Sequence, residues 1–205
     1  MLKRVLCVLL LFPVLAFAED FVAGKDYELV NGTAPSVHAG KVMVTEFFSY
    51  GCPWCYRIEP ALNTWVQQQG NKVQFSRIPV VFHKEWEYYA KAYYTANLLG
   101  LESKLGPALF KAIQNDKRPL ANNEEMIQFF TAEGVDNATA KSAFENSTTI
   151  DVQVAEGLAT MSRYRINGVP AIVVNNQYKT DLQMAKNPER FLQILDFLVK
   201  KAQTA

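Results

Sequence analysis

Glu46-Phe47-Phe48-Ser49-Tyr50-Gly51-Cys52-Pro53-Trp54-Cys55 joins two different patterns. Its first residues close a β-branched and aromatic run, Lys41 to Phe48, of strand length. Beyond it Ile58, Leu62, Trp65 and Val66 recur at helical spacing. The two cysteines therefore stand at a strand-to-helix junction, with Cys52 at the helix start. Unpaired backbone N–H groups and the positive end of the helix dipole favour a thiolate there. Pro53 falls near the first helical position, where its missing N–H costs nothing. Cys55, one turn later, is close enough to resolve a mixed disulfide. The expectation is a redox pair, with Cys52 the exposed nucleophile and Cys55 the buried resolving thiol.

Outward from this junction the order of elements emerges. Val73 to Val81 predicts a second strand, closed by Pro79, so strand, helix and strand form a right-handed crossover with parallel strands. From Glu85 to about Arg165 no strand pattern occurs. Helical stripes replace it: Tyr89, Ala92, Tyr93, Ala96 and Leu99, then Leu105, Leu109, Ala112 and Ile113. A third helix capped by Asn122 or Asn123 runs to Gly134. Asp136 to Asn146 and Thr149 to Tyr164 complete the series. Strands return after Gly168-Val169-Pro170. Ala171 to Val174, a turn at Asn175-Asn176, and Tyr178 to Thr180 predict an antiparallel hairpin. Pro188 opens a last amphipathic helix. A short edge strand is expected near Tyr27 to Val30. The class is α/β, arranged β-α-β, helical insertion, β-β-α. Residues 84–165 form the inserted helical domain, and 19–83 with 166–205 form the α/β domain.

Lys3 and Arg4, an apolar run from Val5 to Val14, and Ala16-Phe17-Ala18 read as a secretory signal peptide over residues 1–18, with cleavage expected after Ala18. The run is too short for a comfortable membrane span, so no stable membrane insertion is expected. Cleavage removes Cys7 and leaves Cys52 and Cys55 alone. It also leaves 19 basic side chains (21 less Lys3 and Arg4) against 20 acidic, a net of −1. Such a balance offers no electrostatic case for nucleic acid. A bridge between residues three apart closes too small a loop to stabilise a fold much. Reactivity explains the pair better than scaffolding. Half a zinc site has the same spacing, but there is no second CxxC and His38 and His83 are the sole histidines, so four-ligand closure is not expected. No metal is expected, and no cofactor beyond the Cys52–Cys55 disulfide.

The segment from Glu46 to Cys55, followed by Glu59-Pro60, resembles the DsbA family of periplasmic disulfide oxidases, within the thioredoxin superfamily. Gly168-Val169-Pro170 resembles that family's cis-proline loop, and the helical insertion sits where the family places it. The resemblance spans roughly Lys25 to Lys201. It implies a thioredoxin fold with an all-helical insertion, in the periplasm. It implies that the Cys52–Cys55 disulfide passes to reduced, unfolded exported proteins and is restored by a DsbB-like, quinone-linked membrane oxidase. Pro170 would take a cis peptide bond, and Val169 would offer backbone groups to an extended substrate. Glu46 matches the family's buried carboxylate, placed to accept or relay the Cys55 proton; Lys72 and Arg77 lie near the second strand, and the sequence assigns neither as its charge partner. One departure stands out. The family's best-known dipeptide between the cysteines is Pro-His, and Trp54 carries no charge.

A disulfide isomerase or reductase is the nearer alternative. Isomerases of this type usually carry an N-terminal dimerisation domain and a Thr before the cis-proline. Here only residues 19 to 40 precede the first core strand, and Val169 holds the Thr position. A non-redox holdase is the alternative from another class. For individual residues, a solvated strand position is the plain alternative for Glu46. Core packing is the reading for Tyr88, Tyr89, Tyr93 and Tyr94, and a loop position for His83. Asn-x-Ser/Thr matches at Asn31, Asn137 and Asn146 are read as chance.

Overall fold

The computed structural model describes residues 21–30, 37–38 and 40–204. The expected signal peptide and the Asn-x-Ser/Thr match at Asn31 lie outside them. The central strand β3, Lys41–Phe48, pairs in parallel with β4, Val73–Pro79, through the helix α1, Pro53–Gln69. On its other edge β3 pairs antiparallel with β5, Ala171–Val174. That strand turns back at Asn175 and Asn176, both at positive φ, into β6, Tyr178–Asp181. Two left-handed residues in a two-strand turn match the right-handed twist of the strands, and Asn tolerates them. The two-residue β1, Glu28–Leu29, edges the sheet beside β6, and β2, Val37–His38, folds back on the start of β3.

The second strand ends at Pro79 rather than Val81. Val80 still donates its N–H to the Phe48 carbonyl at 2.8 Å, so pairing outlasts the regular strand by one residue. A one-turn helix, α7 (Leu182–Ala185), precedes α8 (Pro188–Gln203); a single turn is too short to show a period. Asn187 caps α8 by accepting from Arg190 N–H at 2.8 Å, and Pro188 holds its first position.

Between β4 and β5 run α2 (Trp86–Leu98), α3 (Glu102–Phe110), a wide turn over Lys111–Asn115, α4 (Asn123–Ala132), α5 (Asn137–Asn146) and α6 (Thr148–Arg163). Asn122 is the cap of α4, accepting from Glu125 N–H at 2.9 Å. One apolar cluster packs α1 and α8 against the sheet through Ile58, Leu62, Trp65, Phe191, Ile194, Leu195 and Leu198. Burying each such side chain contributes about 1.5–3 kcal/mol. A second cluster fills the helical layer, and it includes Phe48, Tyr50, Cys52 and Cys55. Tyr89 and Tyr93 are buried in it, with Tyr88 and Tyr94 packed alongside, so these tyrosines are core. The redox pair thus sits where the sheet's carboxyl edge meets the helical layer. Among the described residues no helix is long and apolar enough to cross a membrane.

Candidate active site

Cys52 is the N-cap of α1, in extended conformation, and Cys55 lies within the first turn. The two form a disulfide. Cys52 Sγ accepts from the Cys55 backbone N–H at 3.0 Å, the capping interaction expected of a helix start. Pro53 takes the first helical position. Cys55 is fully buried. Cys52 is also buried, with 4% of its surface exposed, which corrects the expectation of an exposed nucleophile. The reason is the loop before β5: the Val169 carbonyl oxygen lies 3.5 Å from Cys52 Sγ, 117 residues away in the chain. The Val169–Pro170 peptide bond is cis.

The preceding turn is packed from below. A Cβ at Gly51 would meet the Trp86 indole, with Trp86 Cε2 at 2.8 Å and Tyr89 Cε2 at 2.9 Å, so only glycine fits. Gln114, in the wide turn after α3, donates to the Tyr50 carbonyl at 2.7 Å. Trp54 is half exposed, and its ring carries the Arg57 guanidinium at 4.7 Å. With Gly168, Val169, Pro170, Leu182 and Pro188 it lines a groove of about 480 Å3 beside the disulfide.

Glu46 is buried on β3, and its partner is Arg77, which faces it directly in the parallel β3–β4 register. Arg77 Nε donates to Glu46 Oε2 at 2.7 Å. The rest of the guanidinium reaches Glu59 Oε2 at 3.0 Å, Asn63 Oδ1 at 2.9 Å and Glu102 Oε1 at 3.3 Å. Lys72 is exposed and takes no part. Glu46 Oε1 is buried without a hydrogen-bond partner. Burial pushes the Glu46 carboxyl up to about 7; Arg77 opposes the rise and Glu59 adds to it. Burial also works against the charge on Arg77, but Glu46, Glu59 and Glu102 outweigh it and hold the guanidinium protonated. One cation against three carboxylates is thus a cluster that favours one bound proton. Glu59 stands four residues after Cys55 on the same helix, which places the cluster one turn beyond the resolving cysteine. Glu59 entered the sequence reading only through Glu59-Pro60 and without this role, and Asn63 and Glu102 carried no signal, because polar residues on amphipathic helices look alike whether they meet solvent or a buried cation.

A model of the DSBA-like thioredoxin domain matches residues 43–196. The chain belongs to that family. The DsbA thiol:disulfide interchange protein of Burkholderia cepacia is 38% identical over 182 residues, 88% of this chain and 85% of that protein. The crystal structure of Pseudomonas aeruginosa DsbA superposes with a TM-score of 0.84 at 34% identity, covering 91% of this chain and 97% of that one. The DsbA of Xylella fastidiosa gives 0.82 at 31% identity, over 90% and 98%. This DSBA-like chain has a thioredoxin fold with helices inserted between β4 and β5. It is a thiol:disulfide oxidoreductase whose redox pair is Cys52–Cys55.

Proposed function

We propose that this oxidoreductase works in the oxidising direction, giving its Cys52–Cys55 disulfide to reduced, unfolded exported proteins in the periplasm. A client thiolate attacks Cys52 Sγ, the Cys52–Cys55 bond breaks, and Cys55 leaves as a thiolate that takes up a proton. A second client thiolate then attacks the client sulfur of the mixed disulfide and expels Cys52 as a thiolate. The client has lost two electrons and the protein has gained them. The observation that carries the polarity is the capping position of Cys52. Its sulfur receives a helix N–H at the positive end of the helix, so its thiolate is the better leaving group, whereas Cys55 lies inside the first turn and is fully buried. A Glu46 carboxyl that titrates near 7 suits the proton delivered to Cys55. Val169 and Pro170 form the wall against which an extended client would lie, with Val169 offering its backbone groups. A DsbB-like, quinone-linked membrane oxidase would reoxidise the dithiol. No metal and no cofactor beyond the disulfide enters this scheme.

The test is stoichiometric oxidation of a reduced, unfolded client by the purified oxidised protein. The Cys52→Ser variant should be inert, and Cys55→Ser, its Cys52 first loaded as a mixed disulfide with glutathione, should release glutathione to the attacking client thiolate and hold the client as a mixed disulfide through Cys52. Client oxidation by Cys52→Ser would overturn the assignment. A glutathione equilibrium as reducing as that of cytosolic thioredoxins would overturn the oxidising direction.

A further inference from the structure

Trp54 brings no charge to the cysteine loop, yet it holds one there. Long side chains on a helix lean toward its N-terminus, and residues three apart share a face. Arg57 accordingly reaches back over Trp54, its guanidinium 4.7 Å from the ring centre. Among the described residues no carboxylate pairs with Arg57. The first turn of α1 contains no acidic residue. The indole that carries the cation is the same one that lines the groove with Val169, whose carbonyl faces Cys52 Sγ. The other titratable groups around the loop are Glu46, Glu59 and Glu102 paired with Arg77, Asp181 and Lys186 on the groove, and His83 edge-on to Trp86. Asp181 is engaged in capping α7, where it accepts from Met184 N–H at 2.9 Å.

We propose that Arg57 is a positioning residue for the redox step: parked on Trp54, it supplies a fixed cation at the helix start that favours the Cys52 thiolate in the reduced protein. Favouring the thiolate stabilises the dithiol form and so makes the disulfide more oxidising. The inference rests on Cys52 being the attacking sulfur. A cation parked on Trp54, two residues after Cys52, acts across an exposed surface and is worth on the order of half a pKa unit. Trp54 fixes it there through a cation–π contact, which a flexible surface arginine would otherwise lack.

The experiment follows thiolate absorbance and the pH dependence of alkylation at Cys52, mapped by mass spectrometry, in the reduced full chain. Arg57→Gln should raise the Cys52 pKa by about half a unit and Arg57→Glu by about one. Arg57→Lys should restore most of the native value. In parallel, the glutathione equilibrium of Arg57→Gln should move about threefold toward the disulfide form, which is half a pKa unit expressed as a ratio. About 1 M salt should shrink the difference between Arg57 and Gln, since screening then acts over about 3 Å. Circular dichroism checks that the variants fold; a purely structural role would lower melting temperature without moving the titration. Unchanged Cys52 titration in both Arg57→Gln and Arg57→Glu overturns the inference. Low-pH alkylation appearing at Cys55 instead overturns the polarity on which it stands.

Discussion

Replacing Glu46 by Gln separates two forces that act on the same buried group. The ion pair with Arg77 at 2.7 Å favours the carboxylate, and complete burial disfavours it. Burial wins, because Arg77 is already shared among three carboxylates, and the carboxyl moves from its ordinary 4.5 to about 7. Each pKa unit is worth about 1.4 kcal/mol, so forcing the folded protein to ionise Glu46 costs about 3 kcal/mol. The sign follows from proton counts. Below pH 4.5 both folded and unfolded chains hold the proton, and there is no cost. Between 4.5 and 7 the folded chain holds more protons, so stability falls as pH rises. Above 7 both are ionised and the full cost is present. Gln keeps the shape and an acceptor for Arg77 Nε but never ionises. Urea unfolding of the oxidised protein and the Gln variant, from pH 4 to 8, cancels all other titrations in the difference. The two should be nearly equal at pH 4. The variant should gain steadily to about 3 kcal/mol by pH 7 and stay level above it. A variant less stable than the parent throughout pH 6–8 would refute the reasoning, since it would mean that the ion pair outweighs desolvation.

Arg77→Gln removes the shared cation and leaves Glu46, Glu59 and Glu102 facing one another; a loss of about 3–5 kcal/mol at pH 7, easing in acid, is expected by chemical denaturation. Gly51→Ala drives a methyl into Trp86 and Tyr89, and overpacking of this kind costs about 1–3 kcal/mol, readable as a lower melting temperature together with altered Trp fluorescence. Asp196 accepts from Trp65 Nε1 and Gln69 Nε2, each at 2.8 Å, tying α1 to α8; Asp196→Ala strands the indole N–H and should cost about 1–3 kcal/mol in urea unfolding, without moving the Cys52 titration.

Elements with one clear period were legible before any coordinates. β3 announced itself through β-branched and aromatic residues, and α1 through Ile58, Leu62 and Trp65, so the cysteines fell at their junction without ambiguity. Register was not legible. Lys72 precedes the second strand and Arg77 lies within it, and only the alignment of β3 on β4 sets Arg77 opposite Glu46. Local pattern carries no information about which residue of a strand faces which residue of its neighbour. The burial of Cys52 escaped for a similar reason, since the group that covers it arrives from Val169, far along the chain. Trp86 carried no signal in the sequence, because its packing on Gly51 depends on where α2 returns to the sheet. α7 is a single turn, shorter than any period that could reveal it.

The wide turn Lys111–Asn115 and the helices around it have a consequence for anyone seeking a smaller version of this enzyme. Pruning the chain to its sheet, α1 and α8 would look reasonable on a topology diagram. It would strip the Tyr50 carbonyl of Gln114, the Gly51 turn of Trp86 and Tyr89, and Arg77 of Glu102. The aromatic floor of the cysteine loop would open to water. The redox centre is therefore not a portable cassette: the segment spliced into the middle of the chain supplies half the masonry on which the reactive bond rests.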